Sequence, residues 1–111
     1  MNLNQILSKL ISFETISETS NDEIASFIIN FLNSYGIKSE KIKGDPGRFN
    51  IHSIIGPKVD GGIILSGHTD VVPTEGQLWS SNPFRLQKKG NRLYGRGSTD
   101  MKGFIAVVLS I

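Results

Sequence analysis

Two short clusters in this sequence have the residue types and spacing for chemistry. The first is Ser66-Gly67-His68-Thr69-Asp70, directly after the apolar run Ile63-Ile64-Leu65. In extended backbone alternate side chains point to the same side, so His68 and Asp70 would face one way. A ligating histidine gives one ring nitrogen to a metal and donates from the other to a carboxylate, and this pair has the spacing for that. A loop histidine paired with a neighbouring acid is the commoner arrangement, because short His–acid pairs are frequent in loops, and on these residues alone both readings stand. The second cluster is Tyr94-Gly95-Arg96-Gly97-Ser98-Thr99-Asp100-Met101-Lys102-Gly103, which sets Asp100 at a glycine-rich turn opening a helix. It is not a dinucleotide fingerprint, because Asp100 occupies the sixth position, and not a phosphate loop, because no Gly-Lys-Ser/Thr follows. No Gly-x-Ser-x-Gly elbow supports a serine hydrolase. The chain has no cysteine, which excludes a thiolate zinc site, a disulfide scaffold and cysteine catalysis. The other histidine, His52, lies inside an alternating pattern and reads as a strand residue.

These clusters need elements to hold them. Leu3, Ile6, Leu7, Leu10 and Ile11 recur at helical spacing, with Asn2 or Asn4 as the cap. Residues 14–20 are polar and read as a loop. Ser20 and Glu23 have the spacing of a capping box. Ile24, Phe27, Ile28, Phe31, Leu32 and Tyr35 follow on one helical face, and Gly36 marks its end. Ile37–Lys43 reads as an edge strand, Gly44–Gly47 as a turn, and Phe49–Ile55 as an alternating strand. Ile63–Leu65 fits a central strand buried on both faces. Residues 73–83 form a loop carrying the only tryptophan, Trp79. Phe84–Gln87 and Arg92–Tyr94 flank a hairpin turn, and the charges Arg85, Lys88, Lys89 and Arg92 read as its solvated face. The expected class is α/β, with helices packed on a mixed, mostly parallel central sheet. His68, at the end of the apolar run, and Asp100, at the end of the glycine-rich turn, should lie near each other at one sheet edge.

Length and composition narrow the function. With 111 residues this is about one domain. Twelve Lys+Arg against ten Asp+Glu leave a net charge of only +2, so a dedicated nucleic-acid binder is not expected. The apolar runs are too short to span a bilayer, and the N-terminus lacks a signal peptide's basic region. The expectation is a cytoplasmic protein with no membrane or nucleic-acid partner. Phe104–Ile111 is nearly all apolar and carries no helix stop signal, so it should be buried on every side, as in an N-terminal fragment cut inside a helix.

Taken together, His68-Thr69-Asp70-Val71-Val72-Pro73, Trp79, Pro83-Phe84, Leu93-Tyr94-Gly95-Arg96-Gly97 and Asp100-Met101-Lys102-Gly103 resemble the co-catalytic zinc aminoacylase and carboxypeptidase family, the M20 peptidases. The resemblance runs from the first helix onward and is densest from Ser66 to Ala106. It implies that His68 ligates one of two divalent metal ions, zinc or cobalt, and that Asp100 bridges both, a shared metal site that would keep the two within roughly 8 Å. It implies that Asp70, counted with the catalytic residues, is the acid that orients His68, and that the Asp100–Met101 peptide is cis. Residues 1–111 would be the N-terminal part of the catalytic domain. The general-base glutamate, the remaining ligands and a lid or dimerisation domain would lie outside this chain. The stretch around Glu75-Gly76-Gln77 and Ser98–Ala106 looks most like the acetylornithine deacetylase branch. The implied substrate is a small N-acyl amino acid, and the implied assembly of the full-length protein is a homodimer. A succinyl-diaminopimelate desuccinylase or another family amidohydrolase, and a non-catalytic remnant of the fold, are the alternatives.

Overall fold

A computed structural model describes all residues, 1–111. The element order is α1 (Leu3–Ser12), α2 (Asp22–Ser34), β1 (Ser39–Lys43), β2 (Phe49–Ser53), β3 (Gln87–Lys89), β4 (Arg92–Tyr94) and α3 (Lys102–Ser110). No helix is long and apolar enough to cross a membrane. The chain divides into two compact units, residues 1–18 with 67–111, and residues 19–66.

In the first unit α1 starts at a reciprocal cap: the Asn2 side chain accepts from Gln5 N at 3.0 Å and Gln5 Oε1 accepts from Asn2 N at 2.9 Å. Such a box satisfies donors that the first helical turn leaves over. Its apolar stripe, Ile6, Leu7, Leu10 and Ile11, is buried together with Val71 and Ala106, and α1 packs against α3. Behind α1 the chain is pinned to the segment that follows His68. Ser17 N donates to Val71 O and Val71 N to Thr15 O, both at 2.9 Å, around a parallel bridge between Ile16 and Val71. Thr15 Oγ1 adds a 2.6 Å bond to Thr69 O. Strands β3 and β4 form an antiparallel hairpin with exposed Lys88, Lys89 and Arg92, the solvated face that the charge run implied.

In the second unit α2 lies against the antiparallel hairpin β1–β2. The capping box at Ser20 and Glu23 does not form. Asn21 is the cap residue, and its side chain makes no cap bond. Its amide is committed to the sheet instead, donating to Phe49 O at 2.9 Å and accepting from Phe49 N at 2.8 Å. His52 is exposed on β2 opposite Glu40, an ordinary strand position.

The mixed α/β class holds, but its parallel character is not seen. Both sheets are two-stranded and antiparallel, and parallel pairing is confined to the single Ile16–Val71 bridge. Ile63, Ile64 and Leu65 form no strand and are 89%, 92% and 55% exposed. A strand buried on both faces needs a strand on each side and a layer above and below, and no segment of these 111 residues supplies them. Helix α3 is likewise covered on one side only: Lys102 and Ala106 are buried while Phe104, Val107 and Ile111 are exposed.

Lys102 is a fully buried cation, at 0% exposure. Its Nζ donates to Phe13 O at 2.7 Å, fastening the start of α3 to the end of α1. Burial pushes its pKa down to about 8 from the usual 10.5. Between those values the unfolded chain holds a proton that the folded chain has released, so stability rises with pH through this window. The charged form costs the fold up to about 3 kcal/mol below pH 8, and that cost is relieved by pH 10.5. Urea unfolding of wild type and Lys102→Met across pH 7–10.5 checks this: the wild type should gain on the variant as pH rises. A constant gap would show that the amine titrates normally. Gly103 gives a second expectation. A Cβ there would lie 2.1 Å from Ser98 O, so Gly103→Ala should cost at least the 1–3 kcal/mol typical of overpacking, read as a lowered urea midpoint.

Candidate metal centre

His68 and Asp70 are carried by a segment without regular secondary structure that the Thr15–Ser17 clamp holds from one side. Asp100 ends the turn before α3. Gly97 lets that turn close over Val71. It has φ +89°, a left-handed conformation that favours glycine, and a Cβ there would lie 2.8 Å from Val71 Cγ1. The Asp100–Met101 peptide is cis, as the resemblance implies.

The result is a tight triad of side chains. His68 Nε2 lies 2.9 Å from Asp100 Oδ1, well inside the expected 8 Å, but not at a sheet edge, since neither residue lies in or beside a strand of the two sheets. His68 Nδ1 lies 3.1 Å from Asp70 Oδ1 and 3.0 Å from the Asp70 carbonyl oxygen. They line an open cleft of about 380 Å³ together with Val72, Trp79 and Arg96. The three side chains are 48%, 55% and 83% exposed for His68, Asp70 and Asp100. Exposed ion pairs are worth about 0–1 kcal/mol at most. Their own attraction therefore does not hold the cluster together; the backbone clamp and the glycine turn do.

Electrostatics set what the site can accept. Burial of the His68 ring works to lower its pKa, but the hydrogen bonds and charges of Asp100 and Asp70 outweigh it and hold the value above the usual 6.5. The carboxyl of Asp70 is held below its ordinary value, first by the hydrogen bond from Ser17, which offsets burial, and then by the charge of His68. Both ring nitrogens thus face oxygen acceptors, so a cation belongs between Nε2 and Asp100: a proton or a metal ion. Zinc bonds of about 2.0–2.2 Å to nitrogen and oxygen put two ligands of one ion roughly 2.9–3.5 Å apart at ligand angles near 90–110°. The 2.9 Å separation is at the short edge of that range. The donor set fits a divalent ion, and Asp70 is placed to fix the ring. Nowhere does the chain bring together three or more side chains that could hold a metal ion, so His68 and Asp100 by themselves do not make a complete metal site.

Sequence reasoning missed Ser17, Thr15 and Arg96. Thr15-Ile16-Ser17 has two hydroxyls around one apolar residue, the alternation of a strand, but three residues within a polar loop are too few to show it. Arg96 stacks over Trp79 with its guanidinium carbon 5.1 Å from the ring centroid. It also donates to Gln77 Oε1 and to Pro73 O, closing one wall of the cleft, while its Nε is buried without a partner. Only the arrival of the 73–79 loop beside the Gly95–Gly97 turn reveals that role.

In metal-free protein His68 should titrate above 6.5 by NMR, and Asp100→Asn should lower its pKa by removing the negative charge beside Nε2. Divalent metal binding should strengthen as pH rises through the His68 pKa, because the ion displaces the Nε2 proton. A His68 pKa that ignores the substitution would show that the contact does not persist in solution.

Residues 64–111 match the profile of Peptidase family M20/M25/M40. The chain is 37% identical over 113 aligned positions to an acetylornithine deacetylase of Pasteurella multocida, which covers 95% of this chain and 29% of that protein. It is 39% identical over 112 positions to an acetylornithine deacetylase of Buchnera aphidicola, with the same coverages. It thus spans about 29% of the length of these curated relatives. Among solved structures human carnosine dipeptidase 1 superposes with a TM-score of 0.79 over 96% of this chain and 26% of its own, at 22% identity, a likeness of fold. The likeness to peptidase family M20/M25/M40 is thus carried by residues 64–111.

Proposed function

We propose that this chain supplies two metal ligands, His68 and Asp100, and the orienting acid Asp70 to a metal-dependent hydrolase that removes the acetyl group of N-acetylornithine, a step of arginine biosynthesis. The observation that carries the reading is the 2.9 Å approach of His68 Nε2 to Asp100 Oδ1 with Asp70 behind the ring. The substrate rests on the names of the relatives. On this reading His68 presents its Nε2 lone pair to a metal ion. Asp70 accepts from Nδ1–H and so keeps the ring in the ligating tautomer. Asp100, the most exposed of the three, is free on its second oxygen to reach a neighbouring ion. A pair of zinc or cobalt ions there supplies the positive charge that makes water a nucleophile near neutral pH and polarises the amide carbonyl.

Residues 1–111 are, in this proposal, the N-terminal part of the catalytic domain. The group that takes the proton from water and the ligands that complete the metal shell are carried by sequence outside these residues, as is a lid or dimerisation domain of a cytoplasmic homodimer. The 111-residue chain alone is therefore expected to leave acetylornithine intact with or without added zinc.

In the full-length protein Asp100→Ala should abolish both metal content, read by elemental analysis, and deacetylation. Asp70→Asn keeps the shape and an acceptor but loses the charge, and should cost about 10–100-fold in metal affinity or rate. Full metal occupancy in both variants would refute the assignment.

A further inference from the structure

We propose that Ser17 is a positioning residue for the His68 site, the outermost link of a chain that runs from its hydroxyl through the Asp70 carboxylate to the imidazole. The proposal rests on the reading of His68 as a metal ligand for its purpose, but its geometry stands apart from that reading. Ser17 Oγ donates to Asp70 Oδ2 at 2.7 Å, while Asp70 Oδ1 faces His68 Nδ1 at 3.1 Å. Each carboxylate oxygen thus has its own partner, and the plane of the group is fixed between them. An aspartate held on one side only can turn about its terminal torsion, which is broad and soft; one held on both sides cannot.

The anchor itself is rigid. Ser17 N donates to Val71 O, Val71 N donates to Thr15 O, and Thr15 Oγ1 donates to Thr69 O. The backbone on either side of Asp70 is therefore tied to the segment that carries Ser17. The core does not enclose the hydroxyl at position 17: the side chain is exposed, its second contact, to Val71 O, is long at 3.4 Å, and the backbone bonds of Thr15, Ser17 and Val71 close the bridge without it. A merely structural serine here could be exchanged at little cost, whereas one that orients Asp70 could not.

The test uses Ser17→Thr, which keeps the hydroxyl, against Ser17→Val, which has the same shape without it, with Ser17→Ala as the smaller control. The first readout is the tautomer of the His68 ring by long-range 1H–15N NMR of metal-free protein at a pH where the ring is neutral, with His52 as internal reference. The Nδ1–H form should lose at least about threefold in its ratio to the Nε2–H form in Ser17→Val and Ser17→Ala, and Ser17→Thr should restore it. Urea midpoints should stay together across the three variants. The second readout is zinc affinity of the full-length protein by chelator competition, where the two variants without the hydroxyl should weaken binding up to about tenfold, the low end of the range for groups behind a ligand. Folded variants whose tautomer ratio matches wild type would overturn the proposal while leaving the metal reading intact. A tautomer shift in a protein that binds no zinc in any form would overturn the metal reading and leave the role of Ser17 standing. If Ser17→Val fails to fold, Ser17→Ala against Ser17→Thr decides by the same criterion.

Discussion

One imidazole between two carboxylates is the constraint on which the site depends. His68 has an oxygen acceptor in front of each ring nitrogen, and the two acids that provide them repel each other when no cation lies among them. In water-exposed surroundings the attraction of such groups is too small to assemble them. The arrangement must be imposed by the backbone, and the elements of residues 1–18 and 67–111 can be understood as doing so. The Thr15–Ser17 segment ties the segment that bears Asp70. The turn at Gly97 closes against Val71, and Lys102 fixes the start of α3, two residues after Asp100, to the end of α1.

That arrangement has energetic consequences inside the fold. A fully buried lysine with a depressed pKa is an expensive fastener, since the cost of desolvating an ammonium falls on the folded state. Its hydrogen bond to Phe13 O and its long alkyl stem beside Gly97 give it a geometric role that an apolar side chain could not fill in the same way. The His68, Asp70 and Asp100 cluster is thus held in shape by interactions some distance from it, the kind of support that keeps a group of side chains preorganised.

How much of this was legible in the sequence varies with the range of the interaction. The helices were, because α1 and α2 rest on local periodicity and the hairpin β3–β4 on a local turn. The pairing of His68 with Asp70 was, because extended backbone fixes the relation of residues two apart. The closeness of Asp100 rested on where the apolar run before His68 and the turn before Asp100 end and on the resemblance to a family, not on spacing, since 32 residues separate it from His68. Ser17 was not legible, because a hydroxyl in a polar loop acquires meaning only from a partner 53 positions away. The capping box at Ser20 failed for a similar reason: Asn21 found better bonds on Phe49. Ile63–Leu65 has the composition of a buried parallel strand, but burial depends on neighbouring strands that these residues do not contain.

The central claim is that His68 and Asp100 share a divalent cation. Anomalous diffraction at the zinc edge, from crystals of the full-length protein, tests it most directly. The account predicts a peak within about 2.0–2.2 Å of both His68 Nε2 and an oxygen of Asp100, with Asp70 still on Nδ1. Zinc bound elsewhere, with the His68–Asp100 contact left as a plain hydrogen bond, would contradict it.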